Sequence, residues 1–189
     1  LSARRRAVPA VEALEHRDAA AVVVPGYLTW SIVPDGTAVV GGPSVLRSAM
    51  AAKDPAWEAK VRRAMAEWSR ALGVAIAYVP DSGPLGSTIR VGGSIVPGTN
   101  VAAWAYYPCP CPEGSDITIN VAQDWGSVDL YTVMLHELGH AVAGLDHGAA
   151  PIMGPYRGPV AGLSAADVAA ARASVVVLAS PVGVLSKGV

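Results

Sequence analysis

Val133-Met134-Leu135-His136-Glu137-Leu138-Gly139-His140-Ala141-Val142-Ala143-Gly144-Leu145-Asp146-His147 is the stretch on which the reading of this 189-residue chain turns. On a helix, His136 and His140 are four residues apart and share one face, one turn above the other. Two imidazoles so placed can grip a single Zn²⁺ at about 2.0–2.1 Å from each nitrogen. Glu137 projects beside them, where it can take a proton from an attacking water. Gly144 can break the helix in a conformation that other residues avoid and turn the chain back towards the metal. His147 follows three residues later. The chain has four histidines, and three of them fall between positions 136 and 147. Core packing gives no reason for that clustering, whereas a helix with surface histidines and a capping glycine is the plain alternative.

Downstream, Met153 lies six residues beyond His147. Pro155-Tyr156-Arg157-Gly158-Pro159 reads as a loop. Ser164 and Asp167 have capping-box spacing, with Leu163 and Val168 set as a hydrophobic staple, so a helix begins at Ser164. Upstream, the helix carrying the histidines should begin near Asp129. Short β-like runs occupy Val74–Val79, Thr88–Val91, Val101–Tyr107 and Asp116–Val121, separated by loops rich in Gly and Pro. Residues 55–72 form an amphipathic helix with Trp57, Val61, Ala64, Met65, Trp68 and Leu72 on one face. Asp54 can cap it, Pro55 suits its first position, and Gly73 stops it. Tyr27–Val33 alternates as a strand and ends at the turn Pro34-Asp35-Gly36. Mixed strands and helices without strict alternation indicate an α+β domain over residues 27–172. Residues 1–26, with Arg4, Arg5 and Arg6, read as a leader, pro-segment remnant or linker, and 173–189 as a C-terminal tail.

Composition narrows the class. Apolar residues make up 52% and charged residues 15%, a globular balance rather than a disordered one. A net charge of −1 favours neither nucleic acid nor an anionic membrane as partner. No run approaches the roughly 18 apolar residues of a membrane span. Ala19–Val24 is short, and Pro181 interrupts Val175–Leu185. Two cysteines, Cys109 and Cys111, are too few for a disulfide framework. They read as a loop pair, with a redox latch or a soft metal contact as the functional alternatives.

With these residues in view, the chain resembles a metzincin, and within that clan a bacterial matrixin-type protease of the matrix metalloproteinase superfamily. The likeness spans residues 27–172. Residues 136–147 resemble the family's H-E-x-x-H-x-x-G-x-x-H, Ala150–Tyr156 its Met-turn segment, and Leu163–Val168 the start of its last helix. Val101–Pro108 resembles the edge strand that aligns substrate above the zinc. One departure stands out. Counted from His136, the family's glycine falls on Ala143 and its third ligand on Asp146, so Gly144 and His147 both sit one residue late. Either the helix absorbs the extra residue and His147 binds, or Asp146 binds, as aspartate does in snapalysin-like relatives. His147 is the favoured ligand because it keeps the spacing to the glycine.

The resemblance implies a metzincin-like zincin fold: a twisted, mostly parallel sheet with an antiparallel edge strand, about three helices and a cleft across the domain. It implies a secreted, monomeric zinc endopeptidase acting on protein or peptide substrates, with one catalytic Zn²⁺ on His136, His140 and His147. Glu137 is then the general base and Met153 the hydrophobic floor beneath the ligands. Ala103, Trp104, Ala105 and Tyr156 are the substrate-binding candidates. The positions of the family's structural-zinc histidines hold Trp104 and Thr118, so a second zinc is not expected. Ca²⁺ is a candidate ligand through Asp116, Asn120 or Asp124. The rival function is a non-catalytic, zinc-stabilised adhesion or binding module on a protease scaffold.

Overall fold

The fold is that of a computed structural model, which describes residues 22–95 and 100–178. Its centre is a five-stranded sheet of β2 (Tyr27–Ile32), β5 (Ala75–Tyr78), β6 (Ile89–Ser94), β7 (Ala103–Ala105) and β8 (Ile117–Asn120). The order is β5-β2-β6-β8-β7, parallel throughout except for β7, which closes the edge antiparallel to β8. Every residue of β6 and β8 is buried, because both faces of these strands are covered. At Gly93 a side chain would strike Leu46 and Val121, and at Gly92 it would strike Val39 and Val33. Successive residues therefore face two different layers. One layer is helical. The other includes a small hairpin of β3 (Ala38–Val39) and β4 (Gly42–Pro43).

The helices are α1 (Leu46–Lys53), α2 (Trp57–Leu72), α3 (Leu130–Ala143) and α4 (Ala165–Ser174). The expected apolar face of α2 is buried at all six positions, and Gly73 ends the helix at φ 69°. Its start lies two residues later than expected. Asp54 belongs to the junction with α1, where its carboxylate accepts the Ala56 N–H and its carbonyl the Trp57 N–H. All fourteen residues of α3 are buried. It is a central helix, apolar on every side except where the ligating residues sit. Across the α2–α3 contact, the Trp68 indole donates to the Leu135 carbonyl at 3.0 Å.

The architecture is α+β with a mostly parallel sheet and an antiparallel edge strand. Two expectations need correction. Among the described residues there are four α-helices rather than about three: α1 buries only Leu46 and Met50 and so carries little periodic signal. The domain also exceeds both boundaries set at 27 and 172. β1 (Val22–Pro25) pairs in parallel with β9 (Val175–Leu178), and α4 runs to Ser174. Val22 and Val24 are buried in the main core, so this edge is part of the body. Arg4–Arg6, His16 and the rest of the expected leader up to residue 21 lie outside the described residues, as does the tail from 179. Among the described residues, no helix is long and apolar enough to cross a membrane.

Candidate metal centre

Helix α3 begins at a side-chain cap. The Asp129 carboxylate accepts the Thr132 N–H at 2.9 Å and its hydroxyl at 2.8 Å. The helix ends at Gly144, in the left-handed region at φ 61°. Its last turn is wide: the Gly144 N–H meets both the Gly139 and His140 carbonyls, and the Leu145 N–H reaches Gly139 at 3.0 Å. Bonds closing over five and six residues take up more chain than the usual four. The chain then returns to the helix face, bringing His147 beside His140.

That return gathers His136, His140 and His147. The His140 Nε2 lies 3.1 Å from the His136 Nε2 and 3.3 Å from the His147 Nε2. On the helix, both rings are oriented by carbonyls. His136 Nδ1 donates to the Ile152 carbonyl at 2.8 Å, and His140 Nδ1 to the Leu145 carbonyl at 2.5 Å. A carbonyl only accepts, so each neutral ring carries its proton on Nδ1 and turns an Nε2 lone pair inward. Facing lone pairs repel unless a cation lies between them. Nitrogens sharing a tetrahedral metal at 2.0–2.1 Å stand about 3.3 Å apart, so these two spacings suit a shared metal ion. Burial, with neighbouring imidazole charge, pulls His136 down to about 3. Burial likewise pulls His140 down to about 4. Both are therefore neutral, ligand-competent rings at physiological pH. These three histidines could hold a metal ion, their ligating atoms lying within 4.8 Å of one another.

Asp146, the alternative third ligand, is turned elsewhere. Its carboxylate accepts the Tyr107 hydroxyl at 2.6 Å. Burial, reinforced by this bond, raises the Tyr107 phenol well above its ordinary range, so it stays a donor. Glu137 is fully buried beside the histidines, and neither carboxylate oxygen has a hydrogen-bond partner. Burial holds its pKa well above the ordinary range. A buried carboxylate with nothing to bond is costly, and it fits a site meant to receive a proton donor.

Met153 is buried beneath α3, at the end of a short 3₁₀ turn, Pro151–Met153. A side chain on Gly139 would run into the Met153 sulfur, and would stand 3.5 Å from Trp68. Gly139 therefore lets Met153 approach the helix between the two histidines, while Trp68 would tolerate a methyl at ordinary contact distance. The turn is pinned from α4. The Asp167 carboxylate, which completes the capping box with Ser164, also accepts the Ile152 N–H at 2.6 Å. A continuous relay thus runs from the α4 cap through Ile152 to the His136 ring. The sequence signalled the cap. The bond to Ile152 left no trace in it.

Beside the histidines lies the free edge of β7. Asn120 N–H bonds the Ala102 carbonyl, and Tyr106 N–H bonds the Asp116 carbonyl. In an antiparallel pair such residues alternate, so Ala103 and Ala105 turn their amides and carbonyls away from β8. Trp104 does not share that role: its indole packs against Gly41 of the β3–β4 hairpin, across the sheet from the alanine side chains in the main core. A cavity of about 250 Å³ opens next to His136, walled by Val133, Pro155, Tyr156 and Val160. The Tyr156 hydroxyl accepts the Asp129 N–H at 2.9 Å, which fixes this wall to the α3 cap. A larger groove of about 700 Å³ runs beside Val22, Leu85 and the Pro108–Ser115 loop, and none of the three histidines lines it.

Cys109 and Cys111, on the lip of that groove, form a disulfide. The calcium candidates are not gathered. Asp116 faces Arg90, Asn120 bonds Val101 and Ala122, and Asp124 bonds Gly126 and Ser127. Compared with known proteins, the chain matches no family model and no curated protein.

Proposed function

We propose that this chain is a secreted zinc-dependent endopeptidase of metzincin, matrixin-like type, hydrolysing internal bonds of extended protein substrates. One observation carries the reading: three imidazole nitrogens converge beside a fully buried carboxylate that has no partner of its own. A purely structural metal site has no use for Glu137. The mostly parallel sheet with one antiparallel edge, the left-handed Gly144 and the buried Met153 are consistent with the same family. The Cys109–Cys111 disulfide suits an oxidising, extracellular setting.

His136, His140 and His147 would hold the zinc. When bound, the metal supplies Lewis-acid polarisation of the scissile carbonyl and makes water a nucleophile near neutral pH. Glu137 takes the proton of the attacking water and delivers it to the leaving amine. Burial raises its basicity above that of an ordinary carboxylate. Ala103 and Ala105 offer outward donors and acceptors, so an extended peptide adds as a further strand. Main-chain pairing of that kind gives affinity with little side-chain preference. Selectivity then falls to the cavity beside His136, whose apolar walls suit an uncharged side chain. The binding-module alternative needs the fourth metal position closed, for example by Asp146 together with His147, and Asp146 is held by Tyr107.

The test is digestion of a broad peptide library by purified protein, with elemental analysis of the same sample. One equivalent of zinc with chelator-sensitive internal cleavage is the expected result. Protein with no stoichiometric transition metal, or metal-loaded protein that cleaves nothing, would overturn the proposal.

A further inference from the structure

The longer spacing after His140 puts two competent zinc ligands, Asp146 and His147, side by side at the mouth of one site. Something must decide between them. Tyr107 is the residue that touches both sides of that choice. Its hydroxyl donates to the Asp146 Oδ1 at 2.6 Å. Its ring stands edge-on to the His140 imidazole, with centroids 5.5 Å apart and planes at 78°. The Tyr107 side chain is buried, at 7% exposure, while Asp146 is half-buried, so the bond lies at the edge of the site. Tyr107 comes from the segment just after β7, whereas the carbonyl that orients His136 comes from Ile152.

We propose that Tyr107 is a positioning residue that selects the third metal ligand, holding the Asp146 carboxylate away so that His147 alone completes the set. The inference rests on the metal-centre reading above. The anchored segment is short: Leu145 gives its carbonyl to His140, Asp146 is tied to Tyr107, and His147 follows. With Asp146 fixed on one side, the next side chain is delivered to the other. Released, the carboxylate would compete with His147 or bind alongside it, closing the position that water and substrate need. An oxygen donor brings negative charge as well, weakening the Lewis acidity that hydrolysis requires.

Tyr107→Phe keeps the ring packing on His140 and removes only the hydroxyl. Three readouts are taken on the full chain: zinc affinity by competition with a chromophoric chelator, the visible spectrum of the Co²⁺-substituted protein, and the melting temperature of metal-free protein. The spectrum reports the donor set, which a merely structural role would leave alone. Tyr107→Phe is expected to change the cobalt spectrum and lower zinc affinity about 10–100-fold, with metal-free melting nearly unchanged. Tyr107→Phe/Asp146→Ala, which also removes the competing carboxylate, should recover the wild-type spectrum. Should Tyr107→Phe fail to fold, Asp146→Glu makes the same test, because its longer side chain cannot keep the tyrosine contact. An unchanged spectrum and affinity in Tyr107→Phe would overturn the proposal. So would an altered spectrum that the double variant does not restore. Wild-type protein that takes up no zinc or cobalt would instead overturn the underlying metal-centre reading.

Discussion

Gly139 is the sharpest point at which to press on the site. Alanine there should help α3 by about 1 kcal/mol on helix propensity alone. Its Cβ, however, would fall on the Met153 sulfur and within 3.2 Å of the Met153 methyl. The Met153 backbone is held by bonds to Ala150 and Gly148, and its side chain is buried, so the sulfur and methyl can yield only by repacking within the core. Forcing a methyl into such a core costs about 1–3 kcal/mol. Gly139→Ala should therefore lose about 0–2 kcal/mol overall, a drop in melting temperature of up to about 8 °C. Met153→Ala alone leaves a cavity and should lose about 2–5 kcal/mol. In the double variant the clash is gone and part of the cavity is filled. It should be more stable than the sum of the singles predicts, by about 1 kcal/mol or more. Urea unfolding of the four metal-free proteins measures the cycle. Zinc affinity, by chelator competition, should fall about tenfold in Gly139→Ala, because the neighbouring Ile152 carbonyl orients His136. Additivity within about 0.5 kcal/mol would refute the contact as the reason for a glycine at this position.

Glu137→Ala should retain one equivalent of zinc and native circular dichroism while losing at least about 10²-fold in peptide turnover, followed with a quenched fluorogenic peptide. Full activity would show that another group moves the proton. Stripping the metal with dipicolinate should lower the melting temperature by about 5–10 °C, the effect of losing a ligand present at about a hundred times its Kd. Calorimetry with and without added zinc reads this directly. Burial pushes the Asp116 carboxyl up to about 7 from its ordinary 3.8, against the pull of Arg90. A raised carboxyl favours the folded state only while protonated. Stability should thus fall between about pH 4 and 7, by up to about 1.4 kcal/mol per unit. Asp116→Asn should flatten that slope in urea titrations of metal-free protein, and an unchanged slope would assign it to another group.

What could be read from the residues was whatever is encoded locally. The caps at Asp129 and Ser164, the stops at Gly73 and Gly144, and the buried face of α2 each depend on neighbours within a few positions. The histidine pair was legible for the same reason, since a helix alone brings residues four apart together. His147 reaches the pair through the wide last turn of α3, which the sequence offered only as one of two alternatives. Tyr107 was assigned to the edge strand, and its bond spans 39 residues to Asp146. The Trp68 bond spans 67, and the partners of β1 lie near the other end of the described chain. Contacts of that range leave no periodicity behind. Alternation along a strand fixes which residues share a face but not which face lines a cleft, so the packing of Trp104 against the hairpin was not legible in the sequence.

The β1–β9 ladder also has a mechanical meaning. Because the two strands run parallel, Val22 opposite Val175 and Pro25 opposite Leu178, the chain enters at one end of the ladder and leaves at the other. Tension between the two exits would load all its hydrogen bonds at once, in shear, instead of peeling them singly. Whatever tethers this domain at either side therefore pulls first on a four-residue clasp, and the histidine site behind it is spared until that clasp slips.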